Sequence, residues 1–134
     1  MAKSAAVNEG RVAKAYLRQV RISPRKIKIV LDLIRNKKAD KAVAILATTN
    51  KIACESIGKL LDSAIANAEY AGMDKDSLYV SECFVTPGKL KGMKRVRPRA
   101  KGSAARIIKR TSHITIKLAE KVEMPAIKPE ETEN

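Results

Sequence analysis

The sequence is poor in the residues from which most catalytic and metal sites are built. Its 134 residues include no tryptophan, one histidine and two cysteines. With His113 alone, a single chain cannot form a histidine metal cluster or a Ser-His-Asp relay. Cys54 and Cys83 are too few for a disulfide framework or a thiolate metal site, and no Gly-rich phosphate loop occurs. We therefore predict that the protein is not an enzyme and uses neither a metal nor a cofactor.

Long apolar stretches are also missing. No run of about 18 apolar residues exists to span a membrane, and the first residues, MAKSAAVNEGRVAK, lack the apolar segment of a secretory signal. Aromatic residues are only 3% of the chain, so the core must be aliphatic, and a hydrophobic content of 45% suffices for one domain of this length. We expect a cytoplasmic compartment with reduced thiols, no membrane partner and no homo-oligomer.

Positive charge is what the sequence has in excess. Lys and Arg number 28 against 14 Asp and Glu, a net charge of +14 that points to a polyanionic partner. The densest run, TPGKLKGMKRVRPRAKGSAARIIKR from Thr86 to Arg110, has ten basic and no acidic residues. Glycine and proline interrupt it and few apolar side chains support it, so we expect it to become ordered only against dense negative charge such as a phosphate backbone.

Hydrophobic spacing predicts helices followed by strands. The predicted elements are a strand over 15–22, helices over 24–36, 40–48 and 50–70, and strands over 78–85 and 107–118. The last strand is predicted to turn Ile114, Ile116 and Leu118 inward and His113, Thr115 and Lys117 to solvent. The last two strands would pair as an antiparallel hairpin under a helical layer. The basic run connects these two strands. It is either a disordered loop or an arm in which the strands continue outward from the body.

Capping residues and apolar stripes define the three predicted helices. Ser23, Asp40 and Asn50 are the predicted N-caps. The predicted stripes are Ile27, Val30, Leu31 and Ile34 in the first helix, Val43, Leu46 and Ala47 in the second, and Ile57, Leu60, Leu61, Ala64, Ile65 and Ala68 in the third.

A second basic patch is predicted at the start of the first helix. Arg25, Lys26 and Lys28 lie in its first turns, where the helix dipole opposes cations but favours a phosphate group. With Arg21 they form a predicted RNA-binding patch on the body. The domain is predicted to span 14–120, with the arm at about 84–112, after a flexible leader over 1–13 and before an acidic disordered tail over 121–134.

Among polyanions, folded RNA fits these features best. A helix-turn-helix or nucleoid DNA-binding protein is the alternative, since a short turn separates the second and third helices, but the third helix offers mainly alanines to read base edges. Stacking of single-stranded RNA needs exposed aromatic side chains, and the chain has only Tyr16, Tyr70, Tyr79 and Phe84. An arm broken by glycine and proline suits entry into narrow RNA crevices.

Several motifs resemble the bacterial-type large-subunit ribosomal protein twenty-two family. They are Met93-Lys94-Arg95, the run RPRAKG over 97–102, KRTSHIT over 109–115, SPRK over 23–26 and SAIANAE over 63–69. The resemblance covers roughly residues 20–119. It implies an α+β fold with three helices packed on a small three-stranded antiparallel sheet and a long extended β-hairpin arm.

The resemblance also implies a function. It predicts a structural constituent of the large ribosomal subunit that binds ribosomal RNA of the 23S type, aids early subunit assembly and lines the nascent-peptide exit tunnel with its hairpin tip. Neighbouring ribosomal proteins and the nascent peptide would be further partners. The predicted tunnel-tip and RNA-binding residues are Lys89, Lys91, Met93, Lys94, Arg95, Arg97, Arg99 and Lys101. Those predicted on the return leg of the arm are Arg106, Lys109, Arg110 and His113.

Overall fold

A computed structural model describes residues 11–90 and 94–120. Three helices, α1 (Pro24–Ile34), α2 (Ala39–Thr48) and α3 (Ile52–Tyr70), lie between the first strand and the remaining four. The strands are β1 (Val12–Val20), β2 (Leu78–Pro87), β3 (Lys94–Pro98), β4 (Ala104–Ile108) and β5 (Ser112–Glu120). The predicted acidic tail and residues 1–10 of the predicted leader lie outside the described residues. Strand β1 begins at Val12, two residues before the predicted start of the domain.

Two antiparallel sheets organise the strands. The larger has the order β1-β5-β2, and the smaller pairs β3 with β4. In the larger sheet, Thr115 of the central strand is opposite Tyr16 of β1 on one side and Phe84 of β2 on the other. The predicted α+β class with three helices and a three-stranded antiparallel sheet is confirmed.

An aliphatic core fills the space between the helices and the larger sheet. The predicted stripes of α1 and α3 are all buried, as are Ile114, Ile116 and Leu118 of β5. These residues form one continuous cluster with Leu78 and Val80 of β2. Burying side chains of this size contributes roughly 1.5–3 kcal/mol each, so the core, rather than any charged contact, stabilises the domain. Among the residues described, no helix is long and apolar enough to cross a membrane.

The prediction for the inner face of α2 was partly wrong. Leu46 is buried, but its buried companions are Ala39 and Ala42, whereas Val43 and Ala47 are exposed. The buried residues of α2 recur at spacings of three and four, whereas Val43 lies at the edge of the helix, where it lines a groove with Ile65 and Ala66 of α3. Packing between helices therefore decided the orientation of α2.

The predicted N-caps were also wrong in detail. Ser23 occupies the N-cap position of α1, yet its hydroxyl makes no capping hydrogen bond, and its carbonyl accepts from Lys26 N instead, at 3.1 Å. Helix α2 starts after Lys38, not Asp40. The reason is tertiary, because residues 36–38 pair with β2: Val80 N donates to Lys37 O at 2.9 Å.

Helix α3 likewise starts one residue later than predicted. Its N-cap is Lys51 rather than Asn50, and no side chain caps it. The first turns of α1 and α3 therefore both lack a side-chain cap. The first turn of α1 contains Arg25 and Lys26, whereas α3 has Lys51 at its N-cap and Glu55 in its first turn.

The predicted return strand is two strands rather than one. Strands β4 and β5 are separated by residues 109–111, and on the opposite strand Gly88 N donates to Thr111 O at 2.8 Å. A β-carbon at position 88 would lie 2.4 Å from the Thr111 hydroxyl oxygen, so the backbone approach here requires glycine. The hydroxyl of Thr111 in turn donates to Lys89 O at 2.8 Å.

The outward side of β5 is less exposed than predicted. His113 and Lys117 are half-buried and Thr115 is buried, because β5 is the central strand and side chains from β1 and β2 flank it. The two thiols are free and buried. Burial raises the pKa of the Cys83 thiol, although the nearby Arg35 guanidinium opposes that rise.

Candidate nucleic-acid interface

The basic run forms a β-ribbon that continues the β2–β5 hairpin. We define the arm as residues 89–110, of which 89–90 and 94–110 are described. Strands β3 and β4 pair from Lys94 opposite Ile108 to Pro98 opposite Ala104. Every residue of β3 is exposed, and most of β4 is as well. The sequence left two alternatives open, and the pairing of β3 with β4 favours the arm over the disordered loop.

The tip of the arm is a tight loop at residues 99–103. Arg99 N donates to Ser103 O at 2.9 Å, which closes the loop. Lys101 and Gly102 have φ values of 58° and 72°, a left-handed conformation that glycine adopts without penalty and that few other residues favour. The predicted tip residues Arg99 and Lys101 lie in this loop.

The other predicted tip residues lie farther from the loop. Lys94, Arg95 and Arg97 lie along β3. Lys89 was misplaced, because its hydrogen bond to Thr111 puts it at the base of the arm. Lys91 and Met93 lie outside the described residues.

Strand alternation distributes the positive charge over both faces of the arm. Residues directly opposite each other in an antiparallel pair share a face. Arg106 is opposite Val96 and therefore shares a face with Val96 and Lys94. Arg95 and Arg97 alternate with these residues along β3 and lie on the other face. A ribbon that binds a flat surface needs charge on one face only. Charge on both faces suits an element with phosphate on two sides.

Of the predicted return-leg residues, His113 belongs to the body rather than to the arm. It lies on the central strand β5, and its Nδ1 accepts a hydrogen bond from Gln19 N at 3.1 Å. Gln19 has a φ of 57° and lies where the register of β1 shifts. His113 thus holds the irregular end of β1, a structural role.

The base of the arm and the start of α1 form one cleft, which we call the basic cleft, of about 800 Å³. The predicted body residues Arg21 and Lys26 line it together with the predicted return-leg residues Lys109 and Arg110. Its other lining residues are Ile22, Ser23, Ile29, Asn50, Lys51, Ile52, Ala53 and Ile108. Two patches that the sequence presented as separate are therefore one surface. Arg25 and Lys28 are exposed on α1 but do not line the cleft.

Lys51 is the cleft residue that sequence reasoning missed. It is the N-cap of α3, whose first turn reaches the cleft beside that of α1. Uncapped helix starts present amide hydrogens and the positive end of the dipole. A basic residue at the start of a helix is unfavourable unless an anion binds there. The same feature, a cation in the first turn, led to the prediction for Arg25 and Lys26. In the described part of the chain, no group of three His, Cys, Asp or Glu side chains is placed to hold a metal ion.

Comparison with known proteins shows the family of this chain. A family model described as "Ribosomal protein L22p/L17e" matches residues 15–119, which run from the fourth residue of β1 to the last but one of β5. The chain is 54% identical over 112 residues to the large ribosomal subunit protein uL22 of Oceanobacillus iheyensis, which covers 83% of this chain and 97% of that protein. The chain therefore belongs to the Ribosomal protein L22p/L17e family.

Proposed function

We propose that this protein is a structural, non-catalytic constituent of the large ribosomal subunit and binds ribosomal RNA with the arm and the basic cleft. The observation that carries the proposal is the arm itself. Residues 89–110 hold ten of the 28 basic residues and no acidic one. An exposed ribbon of this composition would be stabilised by phosphate on both faces.

The proposal extends to the place of the protein in the subunit. The body binds the surface of the folded RNA through the basic cleft, and the arm enters the RNA with its tip foremost. There the tip loop lines the nascent-peptide exit tunnel, in a ribosome of bacterial type in the cytoplasm. Binding of two RNA regions by cleft and arm also suits a role in early subunit assembly, beside neighbouring ribosomal proteins. Family membership and the narrow, loop-ended ribbon support these assignments.

The DNA-binding alternative is less well supported. Helix α3 is the element that would enter the major groove, but eight of its residues are buried against the rest of the domain. The charged surface instead surrounds the arm and the starts of two helices. DNA binding through α3 would leave the ten cations of the arm without a role.

Sedimentation of a cell lysate at moderate salt tests the proposal directly. We expect the protein to migrate with large subunits, whole ribosomes and polysomes, and to leave those fractions after ribonuclease treatment. Recovery at the top of the gradient would contradict the proposal. Release by deoxyribonuclease alone would favour the DNA-binding alternative.

Removing two cations from the basic cleft is expected to weaken RNA binding in a salt-dependent way. In a Lys51→Ala, Lys109→Ala variant, the slope of log affinity against log salt for large-subunit ribosomal RNA falls by about 1.5, because each lost phosphate contact accounts for roughly 0.7–0.9. Filter binding over a salt series measures the slope.

The matched control removes the same charge elsewhere. Lys41 and Lys59 are exposed on α2 and α3 and do not line the cleft. A Lys41→Ala, Lys59→Ala variant is expected to retain the wild-type slope. An equal loss in both variants would show that only net charge matters, and the cleft would then have no specific role.

A further inference from the structure

The larger sheet has a second face that no described helix covers. The helices pack on one side, where Ala13, Ala15 and Ile116 belong to the core. The opposite side, which we call the outer sheet face, carries the alternate residues of each strand. Its members are Val12, Lys14, Tyr16 and Arg18 of β1, His113, Thr115, Lys117 and Ala119 of β5, and Tyr79, Glu82, Phe84 and Thr86 of β2.

Two aromatic rings stand in one row across this face. Tyr16 and Phe84 are both opposite Thr115, so they flank the central strand about 10 Å apart, two strand spacings. Tyr16 is 56% exposed and Phe84 41% exposed, whereas Thr115 between them is only 9% exposed. A hollow of about 320 Å³ lies on the β1 side of Thr115, lined by Tyr16, Arg18, His113, Ile114 and Thr115, and Phe84 stands outside it across the central strand.

The outer sheet face is also basic. Arg18 lies over the Tyr16 ring, 6.0 Å from its centroid, and Lys117 lies 5.9 Å from the centre of Phe84. Lys14 is exposed in the neighbouring row, opposite Lys117. The one carboxylate among the described residues of this face, Glu82, is paired with Lys117 at 2.6 Å. The net charge of the face is therefore positive.

We propose that the outer sheet face binds unpaired RNA bases, which stack on Tyr16 and Phe84 while Arg18 and Lys14 contact the adjoining phosphates. This inference rests on the proposed function, and it adds a surface of different chemistry to the arm and the cleft. Exposed aromatic rings on a strand face, with cations beside them, bind single-stranded RNA through base stacking. An arginine beside a ring adds a second planar group on which a base stacks. A protein partner would be expected to bury an apolar surface, and this face combines its rings with three cations.

Removing the rings while keeping the apolar bulk tests the proposal. The full-length Tyr16→Leu, Phe84→Leu variant is compared with wild type for binding to a short oligouridylate and to the same strand with abasic positions. Wild type should prefer the strand with bases, and the variant should lose that preference, with an affinity loss of roughly tenfold for each ring. The swap Tyr16→Phe, Phe84→Tyr keeps both rings and should bind as wild type does.

Tyr70 supplies the matched control, since it is 96% exposed at the end of α3 and does not belong to the outer sheet face. Tyr70→Leu is expected to change nothing. Equal affinity of wild type and the double leucine variant for the oligouridylate would overturn the proposal, as would an equal loss in Tyr70→Leu. The proposal would also be overturned if the double leucine variant kept its RNA affinity but lost a cross-link to a ribosomal protein, because the face would then bind protein.

The salt slope on large-subunit ribosomal RNA separates this proposal from the broader one. The double leucine variant keeps the cations of the arm and the cleft, so its slope should equal that of wild type. If wild type itself shows no salt-dependent ribosomal RNA binding, the proposed function fails. If wild type binds ribosomal RNA in a salt-dependent way but shows no preference for the strand with bases, only the proposal for the outer sheet face is refuted.

Discussion

Replacing the arm with a two-residue turn is expected to abolish high-affinity ribosomal RNA binding and leave the domain folded. The variant joins Gly88 to Thr111 through Asn-Gly in place of residues 89–110, a turn that suits an antiparallel hairpin. The net charge falls from +14 to +4, because the removed residues carry ten basic and no acidic side chains. We expect the affinity at moderate salt to fall at least about 100-fold, since counterion release from many phosphates is lost.

The domain survives this change because none of the described arm residues belongs to the core. The melting temperature is expected to stay within about 5 °C of wild type, which corresponds to roughly 1 kcal/mol for a domain of this size. Circular dichroism measures the melting, and filter binding to large-subunit ribosomal RNA measures the affinity. If the fold needed the arm, the melting temperature would fall by much more than 5 °C or no cooperative transition would be seen.

An arm of reduced charge distinguishes shape from charge, because three of its ten cations are removed. Arg97→Gln, Arg99→Gln and Lys101→Gln retain the ribbon and its tip loop but remove three cations. If phosphate contacts carry the binding, this variant should lie between wild type and the arm-less protein in both affinity and salt slope. An affinity equal to that of wild type would show that the shape of the arm, rather than its charge, is recognised.

Truncating Leu31 is expected to destabilise the domain by about 2–5 kcal/mol in its free energy of unfolding. Leu31 lies on α1 with none of its surface exposed, and it packs in the same cluster as Ile116 of the central strand. Leu31→Ala loses the transfer free energy of the side chain and leaves a cavity. Since domains of this size are stable by only about 5–15 kcal/mol, much of the total is lost. Urea unfolding measures it.

Leu33 on the same helix is the matched control. It is two residues away and 43% exposed, so Leu33→Ala is expected to cost less than about 1 kcal/mol. Similar losses at both positions would mean that α1 packs through a different face. The comparison needs no RNA, so it tests the fold independently of the proposed function.

The buried positions of α1 and α3 and the basic composition of the arm could be predicted from the sequence. Spacings of three and four among aliphatic residues specify a helix face without any knowledge of neighbours. A run of ten basic residues without a counter-charge likewise points to a polyanion whatever the fold. The motifs around the tip and the return leg indicated the family in the same local way. These properties are encoded in contiguous residues.

Other features depended on contacts between residues distant in sequence. Helix α2 presents Ala42 rather than Val43 to the core because α3 lies close against it, and it starts after Lys38 because residues 36–38 pair with β2. His113 is a structural acceptor because the bulge of β1 brings Gln19 to it. No local pattern contains these partners.

By itself, the sequence determined the charge of this protein, its aliphatic helix faces and the composition of its arm, because each is a property of neighbouring residues. Only the tertiary structure decided which of these features act together. It placed Lys51 and Lys109 in the lining of one cleft, although 57 residues lie between them in the chain. It also placed Tyr16 and Phe84 in one row, because β5 inserts between the first and second strands of the sheet. Strand order brings such residues together, and strand order is set by the burial of the whole sheet against its helices.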